Sequence, residues 1–178
     1  MSRLITLSLL LLAYNSFAQE AVTPRPSPLT IASSRYKDNY IKVIYSQPHK
    51  KSRLIFGKLV PYGEVWRTGA NEATEITFTK DIFVNGTLMK AGTYSMFTIP
   101  EKDNWTIIFN GELGLWGSYN YNSKLDVLRF QAPARSTGEV VYEPFTITID
   151  QKSDKADIIL MWDTVKVSFP VQFIEIKL

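Results

Sequence analysis

The chain has 178 residues, with 20 basic and 17 acidic side chains and a formal net charge of +3. Charges of both signs are interspersed, which argues against a nucleic-acid stripe or a polybasic membrane patch. The one local basic concentration, Lys50, Lys51 and Arg53 near Lys58, fits a solvated loop. Cysteine is absent, so stability must come from a core, and 45% hydrophobic and 13% aromatic residues supply one. That aromatic share, with β-branched residues throughout, favours sheets over helices.

Residues 1–18 have the three parts of an export signal. Arg3 is the positive start, residues 4–13 are almost unbroken apolar sequence, and Ser16-Phe17-Ala18 puts small residues at the cleavage positions. Cleavage after Ala18 and a secreted or periplasmic mature protein are expected. The apolar stretch is too short for a spanning helix of about 20 residues, so no transmembrane segment is expected after cleavage. Residues 19–34 hold Pro24, Pro26 and Pro28 and should be extended and stiff, the first half a tether. Residues 35–178 are expected to form a single domain.

Strand patterns follow. Ile41, Val43 and Tyr45 alternate with Tyr40, Lys42 and Ile44, and Ile76 and Phe78 share one face of residues 75–79. Ile82-Phe83-Val84, Asn85-Gly86 and Thr87-Leu88-Met89 spell a β-hairpin, because Asn-Gly tolerates the positive φ values of a type I′ turn. Residues 93–99 form a strand stopped by Pro100, and Trp105, Ile107 and Phe109 recur at period two. Residues 125–131 form another, with Leu128 and Phe130 on one face. Phe145, Ile147 and Ile149 alternate strictly, residues 158–162 read as a buried strand, and Val165, Val167 and Phe169 alternate again. Ile174, Ile176 and Leu178 close the chain. No stretch sustains the helical period. Many short strands joined by short turns mean a β-sandwich or a barrel-like closed sheet. The expected fold is an all-β sandwich, a jelly roll being one form of it, with one long ordered loop excursion.

That excursion is residues 47–74, which do not alternate and carry Pro48, Gly57, Pro61, Gly63 and Gly69. Its many apolar residues need burial, so an ordered segment laid across one end or edge of the sheet is expected, and loops of this length are usually functional. The run FGKLVPYGEVWRTGANEAT at residues 56–74 resembles the signature of the domain-of-unknown-function 2911 family. So do AGTYSMFTIP at 91–100, WTIIFN at 105–110, and LWG at 115–117 with Tyr119 and Tyr121. The resemblance covers roughly residues 27–170. It implies an exported protein of Bacteroidetes-type bacteria without an established activity. Some relatives carry helical repeats after this domain, and this chain, ending at Leu178, is expected to lack them.

The chemistry-bearing candidates cluster in the excursion. Trp66, Arg67, Asn71 and Glu72 place an indole, a guanidinium, an amide and a carboxylate around Gly69. Arginine offers a planar fork of donors to carboxylate or phosphate, Asn71 and Glu72 complete a polar cup, and Trp66 or Tyr62 stacks on a ring. The competing reading is a structural knot: Arg67 pairs with Glu72 or Glu75, Asn71 bonds backbone, and Trp66 is core. Trp116 sits in an aromatic, amide-rich loop suited to carbohydrate, or else plugs one end of the domain.

His49 is the sole histidine, and without cysteine a metal site is not expected. No G-x-S-x-G elbow accompanies it for a triad. Glu64, Glu72, Glu75 and Glu112 are the carboxylates available for glycoside hydrolysis, which needs a facing pair. No cofactor is expected. The reading chosen is a binding or accessory module of the envelope, taking a glycan or a small anionic ligand at Tyr62, Trp66, Arg67, Asn71, Glu72 and Trp116. The alternatives are a carboxylate-dependent hydrolase of envelope glycans and a structural or protein-interaction module.

Overall fold

The computed structural model describes residues 23–174. The expected export signal, and Ile176 and Leu178 of the last expected strand, lie outside the described residues. The eleven strands among the described residues are β1 (Leu29–Tyr36), β2 (Asn39–Ser46), β3 (Ala70–Phe78), β4 (Ile82–Val84), β5 (Thr87–Met89), β6 (Gly92–Ile99), β7 (Asn104–Asn110), β8 (Asp126–Ser136), β9 (Tyr142–Lys152), β10 (Lys155–Asp163) and β11 (Val165–Phe173). Among the described residues the only helical element is a 3₁₀ turn, Ser123–Leu125. Among the described residues no helix is long and apolar enough to cross a membrane.

The all-β expectation is met, and most of the alternating segments are strands. The Asn-Gly hairpin is present, with Asn85 at φ +46° and Gly86 at φ +79°, and Ile82 pairs with Met89 across it. Three strands differ from expectation. β1 occupies the second half of the proline-rich segment and runs on to Tyr36. β3 begins at Ala70, so the excursion is residues 47–69. β8 extends to Ser136, five residues past the expected end.

The strands form one antiparallel sheet, in the order β1-β2-β3-β6-β7-β8-β11-β10-β9, with the β4–β5 hairpin hung on β11. β8 joins its two halves. Residues Asp126 to Pro133 pair with β7, and Ala134 to Ser136 pair with β11. The sheet curls until it is nearly closed and barrel-like. At the closure, β9 runs beside β1 and makes backbone hydrogen bonds with the continuation of β2. Phe145 N–H donates to Pro48 O (2.8 Å) and Lys50 N–H to Glu143 O (2.7 Å). Two β2-side side chains extend the ladder: Gln47 Nε2 donates to Phe145 O at 3.0 Å, and the buried Tyr45 hydroxyl accepts Ile147 N–H at 3.1 Å. Farther along, Ser34 Oγ donates to Gln151 Oε1 between β1 and β9.

The inner face carries the core. Ile41, Val43, Ile76, Phe78, Ile107, Phe109, Phe145, Ile158, Phe169 and Val171 are essentially sealed from water. At roughly 1.5–3 kcal/mol for each such side chain, this burial dominates stability. One end is filled by aromatics at edge and stacked geometries. Trp66 stacks on Trp162 (5.8 Å, 16°) and meets Phe145, Trp105 and Phe56 edge-on. A second, smaller cluster lies on the outer face, where Ala73, Phe97 and Ile108 are covered by Val65, Ile99, Leu115 and Tyr121. The segment after β7 is therefore folded back over the outside of the sheet.

Candidate functional site

The excursion returns to the sheet at Trp66. Trp66 N–H donates to Thr98 O (2.7 Å) and Thr98 N–H to Trp66 O (2.9 Å), so this residue sits as a one-residue strand beside β6. Its indole turns inward, 8% exposed, and Nε1 donates to Gly69 O at 3.0 Å. Thr68 follows at φ +53° and fully buried. A β-branched residue rarely adopts that conformation, which stores local strain. It is held by Thr68 Oγ1 to Thr98 Oγ1 (3.1 Å) and Thr74 Oγ1 to Thr68 O (2.7 Å). Gly69 lies so close to β2 that a Cβ would come within 3.0 Å of Ser46 O. These constraints send Trp66 into the core and leave Arg67 beside it at the surface.

Arg67 lines a cavity of about 190 Å³ with Trp66, Trp162, Pro48, Leu59, Val60, Gly69, Ala70, Ser27 and a second cation, Arg53. Arg67 Nη1 donates to Asn71 O at 3.2 Å. The Arg53 guanidinium donates to the carbonyls of Lys50 and His49. Neither arginine has a carboxylate partner among the described residues, whereas nearby Lys50 is neutralised by Asp163 at 2.8 Å. The cavity therefore presents two uncompensated guanidinium groups beside an indole wall.

Asn71 and Glu72 hold the proline-rich segment rather than Arg67. Glu72 Oε1 accepts from Arg25 at 2.7 Å, and Oε2 accepts from Ser46 Oγ at 3.3 Å. Its own backbone N–H foremost, then the Arg25 guanidinium, hold its carboxyl below the ordinary value. Asn71, at φ +57°, donates from Nδ2 to Ser27 O at 3.4 Å. Of the structural-knot contacts, buried Trp66 is found, and Asn71 does bond backbone. The expected pairing of Arg67 with Glu72 or Glu75 is not, because Glu72 is taken by Arg25 and Glu75 accepts the Gly114 N–H at 3.1 Å.

The remaining candidates lie elsewhere. Tyr62 lines a separate open cleft of about 510 Å³ with Glu101, Lys102, Asp103, Asn104 and Gln131. Trp116 is 58% exposed. Its backbone bridges to Glu72, and Gly117 N–H donates to Asn71 O at 2.9 Å, which ties the loop to the site without placing the indole in the cavity. His49 bridges to Pro144 at the closure. Among the described residues no group of three or more His, Asp or Glu is arranged to hold a metal. Sequence reasoning missed Arg53 and Trp162. Arg53 belonged to the basic stretch read as a solvated loop, and Trp162 carried only the signature of a buried strand.

Neither a curated protein nor a solved structure matches the chain. The family model described as a protein of unknown function, DUF2911, matches residues 27–171, which include the cavity and the four sequence runs that carry the resemblance. On that match the chain belongs to the domain-of-unknown-function 2911 family.

Proposed function

We propose that this chain is a binding module of the cell envelope, exported with cleavage after Ala18, that takes a small anion carried on an apolar body. The observation that carries the reading is the pair Arg53 and Arg67, uncompensated by carboxylates, on a cavity walled by Trp66 and Trp162. Guanidinium forks match carboxylate and phosphate oxygens, and indoles favour a ring or branched alkyl group. A volume of about 190 Å³ is below the roughly 300–1,000 Å³ of drug-sized sites, so the bound part is small.

Benzoate, phenyl phosphate and neutral benzamide test this. The acids are expected to raise the melting temperature of the wild type, and benzamide is not. Arg67→Gln and Arg53→Gln should fold and lose the response. Equal responses to acid and amide, or an unchanged response in Arg67→Gln, would refute the assignment. Amino-terminal sequencing of protein recovered from the envelope fraction should read from Gln19. A second reading, a neutral glycan, draws on the Tyr62 cleft, whose six lining side chains are all polar or charged. A neutral oligosaccharide bound by the wild type but not by Tyr62→Ala would favour it.

A further inference from the structure

We infer that residues 23–28 are a strap across the Arg53/Arg67 cavity, latched by Arg25 on Glu72, and that ligand exchange passes through its release. The gating role rests on the binding reading above, whereas the strap itself is testable without a ligand.

Three contacts fix the segment, and they are unequal. Nearest β1, Gln47 N–H donates to Pro28 O at 2.8 Å, which continues the β1–β2 ladder by one step and makes a firm pivot. In the middle, Asn71 reaches Ser27 O at a long 3.4 Å, and Ser27 is itself part of the cavity wall. Farthest out, Arg25 pairs with Glu72 at 2.7 Å, the two side chains 55% and 39% exposed. An exposed pair of this kind is weak and screened by salt. Pro24, Pro26 and Pro28 stiffen the segment, so it moves as a rod about Pro28 rather than crumpling.

Loss of the latch therefore swings Ser27 off the cavity as a unit. The same two residues that read as part of a polar cup, Asn71 and Glu72, act here by holding the strap. They are positioning residues and do not touch the bound anion. Glu72 also keeps its carboxylate engaged with Arg25 and Ser46, so it does not compensate the charge of Arg53 and Arg67.

The test uses tryptophan quenching by acrylamide, a neutral probe, with Trp116→Phe as background to remove the exposed indole. Trp66 and Trp162 then report access to the cavity above a constant background from Trp105, which is buried and not part of the cavity wall. Glu72→Gln and Arg25→Gln are each expected to raise the quenching constant at least about twofold by favouring the open strap. Raising salt from about 0.05 to about 0.5 M should do the same to the parent and little to either variant. Quenching that is equal in parent and variants at about 0.05 M salt, or a parent whose quenching salt leaves unchanged, overturns the strap. Benzoate titration of the same samples separates the two claims. If Arg67→Gln abolishes benzoate binding and leaves the effect of the latch on quenching intact, both stand. If benzoate fails to bind the parent, the binding reading falls, and acrylamide alone still decides the strap.

Discussion

Replacing Tyr45 by phenylalanine tests how the sheet is closed. The substitution removes one oxygen and keeps the ring, whose edge contact with Phe145 (5.7 Å, 84°) is unchanged in shape. Ile147 N–H, on a residue 3% exposed, then loses the acceptor it holds at 3.1 Å. Gln47 loses only a 3.4 Å contact and keeps Phe145 O. A buried donor left without a partner costs about 1–3 kcal/mol. A value near 1.5 kcal/mol would lower the melting temperature by roughly 3–6 °C for a domain of this size. Tyr94→Phe is the matched control: it deletes the same atom, but its bond to Lys90 O at 2.9 Å is exposed, so the cost should stay within about 0.5 kcal/mol. Urea midpoints give the two energies, and hydrogen exchange at Ile147 locates the effect. Equal shifts in the two variants, or unchanged protection of the Ile147 amide, would refute side-chain closure of the barrel.

Other perturbations address the surroundings of the site. Gly117→Ala should cost about 1–2 kcal/mol by urea unfolding, since Gly117 sits at φ +71° and a Cβ there would lie 2.8 Å from the Tyr119 ring and 3.2 Å from Arg67 Nη1. Phe97→Ala, which empties the fully buried centre of the outer cluster, should cost about 3–5 kcal/mol, with proteolysis beginning in the segment after β7. Burial first, and then the bond to Asp126, push the Tyr121 phenol up to about 12 from its ordinary 10.0. The stability contributed by its protonated form is therefore complete below the unfolded value of about 10 and lost as pH rises toward about 12. A urea midpoint that falls over that window in the wild type and not in Tyr121→Phe is the expected result.

The strands that were legible in the sequence are those whose neighbours leave no choice. Asn85-Gly86 dictates its own turn, and Phe145, Ile147 and Ile149 alternate because one face meets the core. Where legibility failed, a local irregularity hid the pattern. Asn71 in a left-handed conformation breaks the alternation at the start of β3, so residues 70–74 looked like loop. The strand expected over residues 125–131 stops short of Pro133, which lies where β8 passes from β7 to β11. The candidate site was contiguous in sequence and is divided in space. The one-residue bridge at Trp66 and the twist at Thr68 send Trp66 and Thr68 inward, Arg67 to the cavity, and Asn71 and Glu72 to the proline-rich segment. The two cavity residues that the sequence did not single out, Arg53 and Trp162, lie more than a hundred residues apart, a proximity that no local pattern encodes.

The closure also sets the order in which the chain can fold. β9, β10 and β11 are consecutive antiparallel strands joined by very short turns, so they need only local contacts and form quickly. The bonds that shut the barrel join Tyr45 to Ile147 and Gln47 to Phe145, 102 and 98 positions apart. They bear a large loop-closure entropy and come late. During synthesis, β2 emerges about a hundred residues before the strand it must meet. Through that interval its far end, and afterwards the fresh edge of β9, offer unpaired backbone to any passing strand. The chain is most exposed to mispairing and aggregation at the seam between residues 45–50 and 143–147, and a factor that shields nascent protein would do most good there.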